Sequence, residues 1–153
     1  METAKSPALS QTLLIVEDDI LTAMTLQDGL EEAGYQVMDL TSRHQDAIMA
    51  ARKRKPDLAL VNIELQGSDD GVALARDLTA MGIVVLFISG QSSRARSART
   101  AAVGSLPKPH TPTEMVEAVD YLLNHLKGDD THTRPPRLEV FDDAPDGLAP
   151  KAA

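Results

Sequence analysis

The sequence has no cysteine and no tryptophan, and aromatic residues make up only 3% of its 153 residues. Without cysteine there is no disulfide framework and no thiolate metal site. A core with so few aromatics must be built from Leu, Ile, Val, Ala and Met, as expected where helices pack on a parallel sheet. The length is that of about one domain, and the missing cysteines favour a reduced, cytoplasmic setting.

Long apolar runs and a basic surface are also absent. No apolar run approaches the roughly 20 residues that span a membrane, and residues 1–10 lack the apolar segment of a secretory signal. The formal net charge of -8 argues against direct nucleic-acid binding. We therefore expect neither a membrane nor a nucleic-acid partner.

The composition divides the chain into three parts. Residues 1–10 show no periodicity and predict a flexible arm. Residues 129–153 hold prolines, acids and small residues with few apolar anchors, which predicts a disordered tail. The folded domain is therefore expected at residues 11–128.

Strands and helices alternate five times within this domain. The predicted strands cover residues 12–16, 35–40, 56–65 and 83–88, and residues 104–109 are predicted as a very short fifth strand and its exit. The predicted helices cover residues 20–33, 41–55, 70–81, 91–103 and 112–127. Short connections imply right-handed crossovers and a parallel sheet with helices on both faces. The second and fifth strands are weak and fit sheet edges. The prediction is a flavodoxin-like (βα)5 α/β fold, doubly wound, with strand order 2-1-3-4-5.

Three helices carry specific local predictions. Asp19 is a plausible N-cap of the first helix. The residues expected on the buried side of that helix are Ile20, Ala23, Met24, Leu30 and Ala33. The last helix is the best specified, because Thr111, Pro112 and Glu114 form a capping box with proline at the first helical position. Residues 91–103 have little apolar surface, so we expect that helix to be mobile.

Polar residues stand where the predicted strands end. Asp18 and Asp19 follow the first strand, Asn62 ends the buried third strand, and Ser89 and Lys108 follow the fourth and fifth runs. The carboxyl ends of the first, third and fourth strands meet at the switch point of such a sheet, where open α/β sheets place their chemistry. These residues form the candidate site.

Four motifs together resemble the receiver domain of bacterial two-component response regulators, the CheY-like class. They are, in order, Leu14-Ile15-Val16-Glu17-Asp18-Asp19, the strand from Pro56 to Ile63, Ser89-Gly90 and Lys108-Pro109. Each motif is weak alone, and their ordered occurrence over residues 11–127 carries the resemblance. The ending Phe87-Ile88-Ser89-Gly90 is also similar to a receiver subgroup whose fourth strand closes Phe-Ala-Thr-Gly.

The resemblance implies phosphoryl transfer to a carboxylate within a two-component or phosphorelay pathway. Asp18 and Asp19 would bind Mg²⁺ with the backbone carbonyl of Glu64 as a third ligand. Ser89 would be the switch hydroxyl, and Lys108 the cation that contacts the phosphoryl group.

The implied partners are proteins. A sensor histidine kinase or a phosphotransfer protein would stand upstream, and a regulatory protein downstream. The cluster of Arg94, Arg96 and Arg99 could contact an acidic partner, with a solvated helix face as the alternative. The helix at 112–127 could support a symmetric homodimer.

Two departures from the family pattern bear on this chemistry. Asn62 stands where the family has its phosphoacceptor aspartate, and a carboxamide is a poor nucleophile that removes one negative charge from the metal site. The chain should therefore not form the usual aspartyl phosphate, and Mg²⁺ affinity should fall. Ser105 stands where the family usually has an aromatic residue, which puts the usual hydroxyl–aromatic coupling in doubt.

Three functions follow from these observations. The first is a single-domain receiver that is not an enzyme, with Asn62 either native to a pseudo-receiver or substituted to block phosphorylation. The second is an interaction module without metal-dependent chemistry that docks a partner on the face built by residues 91–127. The third is a small phosphatase of the haloacid dehalogenase type. That type needs Asp-x-Asp, which residues 17–19 lack.

Overall fold

The computed structural model describes residues 11–65 and 69–141. The strands are β1 (Thr12–Val16), β2 (Gln36–Thr41), β3 (Leu58–Asn62), β4 (Val85–Ser89), β5 (Gly104–Pro107) and β6 (Glu139–Val140). The helices are α1 (Ile20–Glu32), α2 (His44–Lys53), α3 (Gly71–Ala80), α4 (Ser92–Ser97) and α5 (Pro112–Leu126), with a short 3-10 helix at Arg99–Ala101. None of the helices in these residues is long and apolar enough to cross a membrane.

The strands form one sheet in the order β2-β1-β3-β4-β5-β6. The first five are parallel to their neighbours and β6 is antiparallel to β5. The predicted flavodoxin-like α/β fold and the order 2-1-3-4-5 are confirmed. Because β1, β3 and β4 are buried along their whole length, their apolar runs are continuous, as the sequence shows.

Alternate side chains of the central strands enter two separate cores. On one face Leu14, Val61 and Phe87 pack with residues of α2 and α3. On the other face Leu13 and Leu60 pack with residues of α1 and α5. With both faces covered by helices, the carboxyl ends of the strands are the edge at which polar side chains can meet.

The predicted caps of α1 and α5 are present. Asp19 accepts hydrogen bonds from the N–H groups of Leu21 and Thr22 at the start of α1. Thr111 and Glu114 form the capping box of α5, with Pro112 at its first position. These bonds satisfy donors that the first turn of a helix leaves free.

The buried side of α1 differs from the prediction. Ile20 and Met24 are 59% and 49% exposed, and Ala33 is exposed as well. The buried residues of α1 are Ala23, Leu26 and Leu30. These three share one face at a spacing of three and four residues, whereas Ile20 and Met24 lie roughly a quarter turn or more away at about 100° per residue. The prediction is confirmed for Ala23 and Leu30 and wrong for Ile20, Met24 and Ala33, and it omitted Leu26.

The segment after β4 is α4 followed by the 3-10 helix, not one continuous helix. Its buried residues are small: Ala95, Ala98, Ala101 and Ala102. Thr79 of α3 donates its hydroxyl hydrogen bond to the carbonyl of Ala101 at 2.9 Å. The small side chains let this segment lie close against α3 and β4.

The predicted disordered tail is wrong for residues 129–141. Strand β6 pairs with Gly104 and Ser105 of β5, and Leu138 and Phe141 are 4% and 5% exposed. Two apolar anchors are therefore enough to fix the segment, with Leu138 in the α1/α5 core and Phe141 in the α2/α3 core. The predicted arm at 1–10 and the rest of the predicted tail, 142–153, lie outside the described residues.

Strand β5 is consequently not an edge along its first half. A Cβ atom at Gly104 would lie 2.5 Å from the carbonyl oxygen of Glu139, so the approach of β6 requires glycine there. Ser105 is 4% exposed and pairs with Glu139 of β6.

Candidate functional site

Asn62 is at the centre of the site, at the end of β3 and 2% exposed. Its Oδ1 accepts hydrogen bonds from Nζ of Lys108 and from the N–H of Glu64, both at 3.1 Å. Its Nδ2 donates to Oε2 of Glu17 at 3.0 Å and to Oδ1 of Asp18 at 3.3 Å. The amide thus bridges the acids that follow β1 and the lysine that follows β5.

The orientation of the Asn62 amide is fixed by its partners. Two donors face one end of the amide, and two carboxylates face the other. Turning the amide over would place its N–H groups against an ammonium and a backbone N–H, and its oxygen against two carboxylates. The N–H groups of Asn62 therefore point at the acids, where a cation would otherwise offset their charge.

The acid pair that meets Asn62 is Glu17 and Asp18. The predicted pair is Asp18 and Asp19, without Glu17; in the structure the carboxylate of Asp19 instead caps α1. The two residues directly after β1 reach the strand ends, whereas the third begins the helix. The sequence holds a signal that distinguishes Asp19 from the other two acids. An N-cap side chain accepts hydrogen bonds from backbone N–H groups of its helix, so it does not face the strand ends.

Glu17 is 4% exposed, and burial raises the pKa of its carboxyl. Its Oε2 accepts from the N–H of Asp19 and from Asn62, while Oε1 is buried without a hydrogen-bond partner. A buried carboxylate oxygen with no donor suits a hard cation, which takes oxygen ligands. The carboxylates of Glu17 and Asp18 are therefore ligands of the type that Mg²⁺ binds.

Two carboxylates, those of Glu17 and Asp18, meet at the amide of Asn62. Across residues 11–65 and 69–141, no three His, Cys, Asp or Glu side chains are grouped so as to hold a metal. A receiver-type site would add the predicted backbone carbonyl of Glu64 and the side chain of residue 62. Here Asn62 directs its Nδ2 amide group, a hydrogen-bond donor, toward Glu17 and Asp18. A donor at this position disfavours binding of a cation.

Ser89, the predicted switch hydroxyl, is fully buried. Its Oγ lies 2.8 Å from Oε2 of Glu64 and accepts from the N–H of Gln91 at 2.8 Å. The other oxygen of Glu64 accepts from the N–H of Gly90 at 3.1 Å. The side chain of Glu64 thus belongs to the site, whereas the predicted contribution of this residue is only its backbone carbonyl.

Lys108 is held through both its backbone and its side chain. Its backbone N–H donates to the carbonyl of Ser89 at 2.9 Å, and its ammonium reaches Asn62. On the other side it lines a cavity of about 360 Å³ with Glu17, Asp19 and His110 among the lining residues. The carboxyl ends of β1, β3, β4 and β5 therefore do converge, as the strand order predicts.

The three predicted partner-binding arginines are engaged within the chain. Arg94 pairs with Asp70 and Arg96 with Glu139, both at 2.8 Å. Arg99 donates to the carbonyl of Arg96. Any acidic partner would have to compete with these intramolecular bonds.

A family model described as the response regulator receiver domain matches residues 13–120. The chain belongs to this family. Similar curated proteins include the transcriptional regulatory protein PdtaR of Mycobacterium tuberculosis, 28% identical over 82% of this chain and 62% of that protein. The chemotaxis protein CheY of Thermotoga maritima is 27% identical over 73% of this chain and 97% of that protein.

Solved receiver structures share the fold. The signal receiver domain of a modulated diguanylate cyclase from Desulfovibrio desulfuricans is 31% identical, with a TM-score of 0.67 over 76% of this chain and 95% of that one. A putative response regulator from Chloroflexus aurantiacus is 30% identical, with a TM-score of 0.67 over 74% and 98%. The chain spans about 62% of the length of the PdtaR proteins that it matches.

Proposed function

We propose that this receiver works in a two-component or phosphorelay pathway as a signalling domain, not as an enzyme, without forming an aspartyl phosphate at position 62. The observation that carries the proposal is the bonding of Asn62. A carboxamide lacks the charged oxygen that attacks phosphorus, and both ends of this amide are already saturated by site residues.

Magnesium binding would be weak in this receiver. Glu17 and Asp18 are the residues that would hold the ion, which in phosphoryl transfer offsets charge on the phosphoryl oxygens. The N–H groups of Asn62 offset part of the acids' charge. An incoming cation has to compete with them, and residue 62 supplies no anionic ligand.

The proposed partners follow from family membership. Receiver domains interact with histidine kinases and downstream regulators, so we propose a sensor histidine kinase or a phosphotransfer protein and a downstream regulatory protein, all in the cytoplasm. Direct nucleic-acid binding is not part of the proposal, given the net charge of -8. A homodimer through α5 is a further proposal.

The test compares the native chain with Asn62→Asp, each incubated with Mg²⁺ and a small-molecule phosphodonor. The readout is phosphoryl mass gain by intact mass spectrometry. We expect labelling of Asn62→Asp alone, because the variant restores the nucleophile to an otherwise assembled site. Asn124→Asp, which makes the same change on α5, is the matched control and should not label.

The other outcomes have defined meanings. If neither form labels, the acids, Ser89 and Lys108 do not work together as a phosphoryl site, and an interaction module without metal-dependent chemistry replaces the proposal. If the native chain labels, an acceptor other than residue 62 exists, and Glu64, Asp69 and Asp70 are the first to map.

A further inference from the structure

The carboxylate of Glu64 is held by two donors, one from the last residue of β4 and one from the residue after it. Oε2 lies 2.8 Å from the Oγ of Ser89, and Oε1 accepts from the N–H of Gly90 at 3.1 Å. Ser89 in turn accepts from the N–H of Gln91. Ser89 and Gly90 thus contact one carboxylate, which lies just after β3, and Gln91 is linked to it through Ser89.

Glu64 also contacts position 62 directly. Its N–H donates to Oδ1 of Asn62, so one residue links the neutral amide of the phosphoacceptor position to the switch hydroxyl. In phosphoryl transfer to a receiver, Ser89 would meet an oxygen of the transferred group. In this chain a negatively charged oxygen is already at that hydroxyl, supplied by residue 64.

We propose that the Glu64 carboxylate is an internal substitute for the phosphoryl oxygens. It keeps Ser89, Gly90 and Gln91 in their hydrogen-bonded arrangement while position 62 carries no phosphoryl group. Glu64 is a positioning residue that acts through Ser89. The inference rests on the proposed function, and it adds that the loop before α4 is set without phosphorylation.

A competition follows from the chemistry of a hydroxyl. Ser89 has one proton to donate, and Oε2 of Glu64 at 2.8 Å is a nearer, charged acceptor for it than the carbonyl oxygen of Gln91 at 3.1 Å. Glu64 and a phosphoryl-like anion at position 62 cannot both receive this proton. The two anions would also repel each other. A phosphoryl analogue at residue 62 must therefore displace Glu64 from Ser89. A glutamate that stabilised the loop without occupying the position of a phosphoryl oxygen would not compete with the analogue.

The first experimental arm measures amide exchange at Gly90 and Gln91 by NMR in the native chain and in Glu64→Ala. We expect exchange at Gly90 to be at least about tenfold faster in the variant, the effect of one lost charge-assisted hydrogen bond. Glu32→Ala, an exposed glutamate on α1, is the matched control. Unchanged exchange at Gly90 in Glu64→Ala overturns the inference.

The second arm uses beryllofluoride, formed from beryllium chloride and sodium fluoride with Mg²⁺, as the phosphoryl analogue. Asn62→Asp is compared with Asn62→Asp/Glu64→Gln. We expect the double variant to bind the analogue about tenfold more tightly, and bound analogue to restore slow exchange at Gly90 in Asn62→Asp/Glu64→Ala.

The outcomes separate the inference from the proposed function. Suppose that Asn62→Asp binds the analogue and that Asn62→Asp/Glu64→Gln binds it equally or more weakly. Glu64 then only stabilises the loop, and the inference fails while the receiver function stands. If Asn62→Asp binds no analogue, the phosphoryl site itself is absent, and both fail.

Discussion

The ammonium of Lys108 lies 3.1 Å from Oδ1 of Asn62, and the opposite end of the same amide faces Glu17 and Asp18. One neutral side chain thus satisfies a cation on one side and two carboxylates on the other. An aspartate at position 62 would instead place a third carboxylate beside Glu17 and Asp18, in addition to the carboxylate of Glu64 at Ser89.

Asn62→Asp is therefore expected to destabilise the chain when Mg²⁺ is absent. The change replaces two N–H donors with a third carboxylate beside Glu17 and Asp18, and the free energy of unfolding should fall by about 1–3 kcal/mol. Millimolar Mg²⁺ should recover much of this loss, because a ligand that binds only the folded state stabilises it. Denaturant unfolding with and without Mg²⁺ measures both effects.

The native chain supplies the comparison for this prediction. Its unfolding free energy should change little with Mg²⁺, since the N–H groups of Asn62 occupy the acids. A native chain that Mg²⁺ stabilises as strongly as the variant would show that the amide does not compete with the cation.

Strand β6 depends on the absence of a side chain at position 104. In Gly104→Ala the new Cβ would lie 2.5 Å from the carbonyl oxygen of Glu139, so β6 must shift. We expect a loss of about 1–3 kcal/mol in the free energy of unfolding. Exchange of the Phe141 N–H, which donates to the carbonyl of Val103, should also become faster.

Gly90→Ala is the matched control for this substitution. The nearest atom to its added Cβ is 4.0 Å away, and its backbone does not have positive φ. Equal destabilisation by both alanines would mean that the close approach of β6 is not what the Gly104 substitution disturbs.

The strand order could be predicted because it depends on local signals. Three of these signals can be identified without knowledge of tertiary contacts. They are the continuous apolar runs, the capping box at Thr111 and Glu114, and the polar residues at strand ends. The sixth strand was missed because its pairing depends on two isolated anchors, Leu138 and Phe141, within a segment of prolines and charges. Only long-range packing shows that these two are buried.

The position of the site was predicted correctly, but not every side chain that contributes to it. Strand ends indicate which residues can meet, whereas the direction of each side chain is set by its hydrogen bonds. Asp19 is directed to α1 by two backbone donors, which leaves Glu17 to face Asn62. Glu64 looks like a surface acid in the sequence, and its role depends on donors 25 and 26 residues away.

His110 provides a prediction of pH dependence. It lines the cavity beside Lys108, and its Nδ1 is buried without a hydrogen-bond partner. Burial lowers the pKa of the imidazole, with nearby Lys108 and Arg137 acting in the same direction and the backbone of Thr111 and the carboxylate of Glu114 opposing them. The folded chain therefore holds His110 neutral at pH values where the unfolded chain protonates it.

The sign of the effect follows from proton binding. Below the ordinary histidine pKa of about 6.5 the unfolded state binds more protons at this residue, so its contribution to stability is present above that pH and is lost as pH falls through the lowered pKa. We expect His110→Gln to reduce the loss of unfolding free energy between neutral pH and about pH 5 by on the order of 1 kcal/mol. Denaturant unfolding of both chains across this range measures it. Parallel pH curves for the two chains would show that His110 accepts a proton as readily when folded as when unfolded.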